Sequence, residues 1–354
     1  MSIKEPNMLR AEIESVFLLY NNGRIQEAIN LIKVLNESYP NVPLLFNLLG
    51  ACYKSLGNLD AALQMFETAT NIKPDYAEAF FNQGVILKEL SKLNEAIDCF
   101  QKAIAILPNY PDAHNNLGNA LEDLGQREAA IESYEWAISY KVDYAQAYLN
   151  LGILFSKFDP IKAVDYYKKA IVIDPNHDAA YFNLASTYRH LGLKDEAIAA
   201  YEKAIEIKPD YADAHKNLSA MKKYNKNDPQ ITQMLSLYSI TDLNLSDKVK
   251  LNFALAKVNE NLGNNDKFFK FLNEGNRLRK QELNYSFTES KNFHSILLKV
   301  FSAPLPLMKK SSLCQHHEVR YEVRAYQDIF EALGECNASN SHNRHPRQNQ
   351  STSR

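Results

Sequence analysis

The sequence predicts an all-α solenoid of stacked helical hairpins, and three periodic features predict it. Gly50, Gly84, Gly118 and Gly152 recur in steps of 34 residues. Ala62, Ala96 and Ala130 keep the same step, and so do Pro40, Pro74 and Pro108, with Pro175 and Pro209 closing later units. A fixed period of this length marks helical pairs that each bury an apolar face only by stacking on the next. Such a stack exposes a long concave surface rather than an enclosed pocket, so binding is the first functional expectation.

The units follow in order. Residues 9–42 keep Gly23, Ala28 and Pro40 of the pattern, as suits a terminal repeat. Residues 43–76 carry Phe46, Gly50, Tyr53, Ala62, Phe66, Ala69 and Pro74. In residues 77–110, Phe80, Gly84 and Leu87 share one helical face, the chain breaks near Ser91, and a second helix bears Ala96, Phe100 and Ala103 before Pro108. Residues 111–144 repeat this grammar, with Val142 in place of the proline. Residues 145–177 are one shorter, the loss falling in the turn, where Asp159-Pro160 supplies an N-cap and a first-turn proline. Residues 178–211 are regular, and a partial unit, 212–221, begins another first helix. The small residues let helices approach while Phe80 and Phe100 fill the space, and the solenoid is expected to span 1–221.

A helical extension of degenerate hairpins is expected over 222–301. Asp228-Pro229 starts a helix through about Tyr238, and Ser246 caps one that ends near Gly263. Another runs from about Asp266 to Glu282, and a last from Ser286, with Glu289 completing a capping box, to Phe301. Residues 302–336 form a linker with an amphipathic helix (Val319, Val323, Tyr326, Phe330, Leu333), and 337–354 a polar, disordered tail.

Composition narrows the function classes. The 354 residues are 45% hydrophobic with a formal net charge of -2, so no bulk basic field invites nucleic acid. No stretch nears a membrane-spanning length and no signal peptide is apparent at the start, so a cytoplasmic protein with no membrane partner is expected. Cys52, Cys99, Cys314 and Cys336 have no metal-ligand spacing, and the first two read as buried apolar residues. No cofactor, phosphate loop or nucleophile–base pair is found, so no catalysis is expected. His316, His317, His342 and His345 read as tail residues, His114 and His215 as core, and Trp136 as a half-exposed partner contact. Arg277, Arg279 and Lys280 read as a basic helix terminus.

This grammar, over Leu9 to Met221, resembles the tetratricopeptide repeat family. The resemblance implies a right-handed α-solenoid of tetratricopeptide helical hairpins, its groove lined by the first helix of each hairpin and holding an extended peptide or a partner's helix. Asn82, Asn116, Asn150, Asn183 and Asn217 fall where that groove is expected, spaced 34, 34, 33 and 34 apart. An amide both donates and accepts, so it can bond a peptide backbone irrespective of side chains. Phe81, Asn115, Leu149 and Phe182 precede ladder residues by one position, and Asn119 lies one turn on. The same amides also suit a purely structural part in the repeat stack. The groove lacks the lysines and arginines with which some members of the family clamp a carboxylate: Asn115, Asn119, Asn150, Ala179 and Asn183 stand at those places.

Residues 227–282, with Met234-Leu235, Leu245-Ser246-Asp247, Phe253 to Lys257, Gly263 and Gly275-Asn276-Arg277-Leu278, resemble a bacterial pattern in which such repeats precede a sulfotransferase domain. That pattern implies a following glycine-rich phosphate loop, whereas Pro304 and Pro306 follow Phe301 here. The repeats also resemble those of O-linked N-acetylglucosamine transferases, without a nucleotide-sugar domain. The sequence thus supports an interaction scaffold that holds an extended peptide, with the substrate-recruiting arm of a transferase as its alternative. Oligomerisation through the C-terminal repeats is a further expectation.

Overall fold

The computed structural model describes residues 6–240 and 242–283, which contain sixteen α-helices and no strand. All but Leu283 belong to the first of the two units into which the chain divides, Met1–Glu282. Twelve helices pair as six hairpins: α1 (Pro6–Asn21) with α2 (Ile25–Ser38), α3 (Pro43–Ser55) with α4 (Leu59–Ile72), and α5 (Ala77–Glu89) with α6 (Leu93–Ile106). The series continues with α7 (Pro111–Asp123) and α8 (Arg127–Tyr140), α9 (Ala145–Phe155) and α10 (Pro160–Ile173), α11 (Asp178–His190) and α12 (Lys194–Ile207). Each second helix also packs on the next first helix, which makes the array an all-α solenoid.

The repeated glycines explain how tightly each hairpin closes. A Cβ placed on Gly50, Gly84 or Gly118 would lie 2.6–2.7 Å from a ring carbon of Phe66, Phe100 or Tyr134, and Gly152 faces Tyr167 in the same way. The ring of each second helix therefore lies directly on bare backbone of the first. Those four rings are at most 1% exposed, as are Ala62, Ala96 and Ala130 beside them. Alanine takes the glycine position only in the sixth hairpin, as Ala185.

First helices end where one residue turns left-handed: Gly23, Gly57, Gly125 and Gly192 have φ between 73 and 76°. Ser91 does the same work at φ 59°, without a glycine's freedom. The shorter fifth hairpin omits this residue; Asp159 instead accepts from the Lys162 N–H at 3.1 Å and Pro160 opens α10.

Past α12 the regularity fails. α13 (Ala212–Ser219) has eight residues, α14 (Pro229–Tyr238) follows a nine-residue connection, and α15 (Leu245–Asn261) pairs with α16 (Asn265–Glu282). The helix α14 packs on α15 and not along α13 as a second helix would. Asp228 caps α14, as its sequence suggested. Asn244, not Ser246, caps α15: its side-chain oxygen accepts from the Asp247 N–H at 2.9 Å and its Nδ2 reaches the Asp247 carboxylate at 2.7 Å. The helices expected at 286–301 and 319–333, the tail after 336, His316, His317, His342, His345, Cys314 and Cys336 lie outside the described residues.

Candidate binding groove on the first helices

Successive first helices meet along two lines, each joining a residue to one 35 places later. Near the helix ends, Tyr20 and Ser55 are hydrogen-bonded at 2.9 Å, Lys54 pairs with Glu89 at 3.3 Å, and Lys88 with Asp123 at 3.7 Å. Glu122 and Lys157 continue the line with reversed polarity at 2.7 Å. Surface pairs of this kind contribute little individually.

The second line is made of amides. Asn82 Nδ2 donates to Asn47 Oδ1 at 3.0 Å, and Asn150 Nδ2 donates to both Asn115 Oδ1 and Asn119 Oδ1 at 2.9 Å. Asn119 Oδ1 also receives the hydroxyl of fully buried Tyr134 at 2.8 Å. Gln146 donates to Asn150 Oδ1 at 2.9 Å, so every polar atom of Asn150 is engaged. Asn115, Leu149 and Asn150 are buried. Their amides tie hairpin four to hairpin five, which is the structural part the sequence left open.

The ladder is therefore of two kinds, and the residue one place earlier in the preceding repeat decides which. Where that residue is an asparagine, Asn47 or Asn115, the next ladder amide is tied to it. Where it is apolar, the following amide has no such partner. Phe81 packs against Tyr110 and Phe100, Phe182 against Tyr211 and Tyr201, with centroids 4.8–6.0 Å apart. After them and Leu149, Asn116 and Asn183 are partly exposed and donate only to their own helices, to Asp112 O at 2.9 Å and Ala179 O at 2.8 Å. Asn217 donates to the Tyr201 hydroxyl at 3.3 Å. The oxygens of these three amides accept no hydrogen bond among the described residues.

Between α9 and α11 the line of helix-end pairs stops. Ser156 and His190 stand there, and the Ser156 hydroxyl turns to its own helix at Ile153 O, 2.7 Å away. A cavity of about 380 Å³ opens at this step, lined by Ser156, Tyr167, Asn183, Ser186, Thr187, Arg189 and His190. Burial pushes the Tyr167 phenol up to about 12, with Ser156 and Thr187 as its hydroxyl neighbours, so it remains a neutral donor. Arg189 has no ion pair among the described residues. Sequence reasoning found Asn183 but missed Arg189, the hydroxyls and Asn47. Asn47 lies one position off the ladder's 34-residue phase, and the hydroxyls become a set only when two helices meet.

Other candidates resolve into structure. His114 and His215 are buried, each with Nε2 on a proline carbonyl, Pro108 at 2.9 Å and Pro209 at 2.8 Å. Trp136, 48% exposed, stacks on Tyr140 with centroids 5.8 Å apart. Arg277 forms two hydrogen bonds with Glu274 at 2.8 Å and Arg279 pairs with Glu282 at 2.5 Å, so only Lys280 of that basic group lacks a carboxylate partner among the described residues. Cys52 and Cys99 are buried, which raises both thiols to about 11. Among the described residues no helix is long and apolar enough to cross a membrane, and no three His, Cys, Asp or Glu cluster as metal ligands would.

Known proteins share this architecture. The family model described as TPR repeat matches residues 50–91 and 84–125, and that described as tetratricopeptide repeat matches 111–144 and 178–211. A chain of the APC/C hetero-tetramer Cut9–Hcn1 is 19% identical with a TM-score of 0.53, over 68% of this chain and 48% of that one. PilF of Pseudomonas aeruginosa is 19% identical with a TM-score of 0.50, over 58% and 95%. A tetratricopeptide protein of Thermus thermophilus is 26% identical with a TM-score of 0.44, over 51% and 98%. No curated protein matches the chain. The hairpins within residues 50–144 and 178–211 of this chain match the tetratricopeptide repeat.

Proposed function

We propose that this protein is an interaction scaffold whose first helices hold an extended segment of a partner protein, with hairpins four to six at the centre of the contact. The observation that carries this reading is the split in the ladder. Asn82 and Asn150 are tied to neighbouring repeats, whereas Asn116, Asn183 and Asn217 keep carbonyl oxygens that can accept from a partner's backbone N–H groups. Asn119 and the half-buried faces of Phe81 and Phe182 border the same strip, and Asn115, Leu149 and Asn150 support it from beneath. The hydroxyls and Arg189 beside Asn183 supply donors for a partner carbonyl or carboxylate, a complement the ladder lacks.

The test is a double variant. Replacing Asn116 and Asn183 together by alanine removes two partly exposed acceptors, each contributing about 0.5–1.5 kcal/mol to binding, so capture of a co-purifying partner weakens about fivefold or more while helicity is unchanged. Undiminished capture by the double variant overturns the groove as the binding surface.

A further inference from the structure

The displaced helix α14 has a consequence of its own. Its N-terminus is pinned to α13 by buried polar groups: Gln230 Nε2 donates to His215 Nδ1 at 3.2 Å, and the Tyr224 hydroxyl donates to Gln230 Oε1 at 2.7 Å. The helix packs on α15, and a cavity of about 430 Å³ lies between α14, α15 and α16. The floor is apolar, made by Leu255 and Val258 of α15 with Phe271 of α16, all under 10% exposed. Ile231 and Leu235 form the α14 wall, and Leu235 is 43% exposed.

The rim carries Lys226, Lys267 and Lys270, and no acidic side chain lines the cavity. None of the three lysines forms an ion pair among the described residues, whereas Lys222, Lys250 and Lys257 nearby each have a carboxylate partner within 3.2 Å. Lys267 lies in the first turn of α16 next to Asp266, which meets the helix dipole there. Exposed cations without a carboxylate partner around an apolar opening point to a compensating charge from outside.

We propose that this cavity binds a partner protein's segment in which a bulky apolar side chain is flanked by carboxylates, the side chain entering the apolar floor and the carboxylates meeting the lysine rim. The volume falls in the range of pockets that enclose one compact apolar group with a few polar anchors. Charge complementarity selects the acidic flank, because three unpaired cations around an apolar opening attract carboxylates and repel a basic segment.

The test uses the full chain and a fluorescein-labelled peptide, Ser-Glu-Glu-Phe-Leu-Glu-Glu-Ser, read by fluorescence anisotropy. Two control peptides replace the four glutamates by lysine, or Phe-Leu by Ser-Ser. The acidic apolar peptide is expected to bind at least tenfold more tightly than either control, and to weaken several-fold as salt rises from about 50 to 300 mM. A chain with Lys226→Glu, Lys267→Glu and Lys270→Glu, all exposed positions, is expected to lose this binding while retaining its circular dichroism. The Asn116→Ala, Asn183→Ala chain is expected to bind the peptide normally, which separates this site from the groove. Equal binding of either control, no binding of the acidic peptide, or binding that survives the triple reversal overturns the proposal.

Discussion

At the scale of single residues, one face of the same helices holds amides in opposite states, tied to a neighbouring repeat or bonded only within their own helix. Asn150 is saturated by Asn115, Asn119 and Gln146, so Asn150→Ala strands buried amides and is expected to lower unfolding stability by about 1–3 kcal/mol in urea titrations. Asn183→Ala, at the same repeat position, is expected to change stability by under about 1 kcal/mol and to act on binding instead. The repeat spacing places both on one line but is blind to this difference, which depends on whether the preceding repeat offers Asn115 or Leu149 one position earlier. Gly118 shows the strictest packing: an added methyl would fall 2.6 Å from a Tyr134 ring carbon, so Gly118→Ala is expected to cost about 1–3 kcal/mol by the same measurement. In the sixth hairpin Ala185 stands at this position, buried in one cluster with Tyr201.

At the scale of elements, the helix ends and the irregular region carry the testable content. Ser91 occupies a left-handed turn that glycine fills in four of the other hairpins, and L-residues are strained there by about 1–2 kcal/mol. Ser91→Gly is expected to raise stability by a few tenths to about 1 kcal/mol, because glycine's extra freedom in the unfolded chain offsets part of the relief. The junction of α13 with α14 rests on His215, whose pKa is lowered by burial, only partly opposed by its bond to the Pro209 carbonyl. A depressed folded-state pKa means that the neutral ring is the native form. Its contribution is complete above the ordinary value of 6.5 and is lost as pH falls from there toward the folded-state value. Urea midpoints measured at pH 7.5 and 5.5 are expected to fall with pH, by less in a His215→Asn chain. Helices 229–238 and 265–282 were legible from a capped proline and from apolar spacing. The cap of α15 was misplaced by two residues because both Asn244 and Ser246 are good N-caps, and only the fold of the incoming loop selects between them.

At the scale of the whole molecule, periodicity made the solenoid readable, since every repeat states the same small, aromatic and turn positions. What periodicity cannot express is a departure from itself. The tied and untied amides, the hydroxyl-lined cavity at Arg189 and the displaced α14 all arise where one repeat differs from the next. Recognition at Arg189 and at the lysine-rimmed cavity is expected to weaken with ionic strength, while contacts through the ladder amides are expected to be nearly salt-independent. The most direct measurement of the central claim places a photo-reactive benzoylphenylalanine at Asn116 or Asn183 on the first helices, or at Glu135 or Lys168 on the second, and identifies cross-linked partner peptides by mass spectrometry. The account predicts adducts with one partner segment from Asn116 and Asn183 and none from Glu135 and Lys168. Adducts from the second-helix positions alone would contradict it.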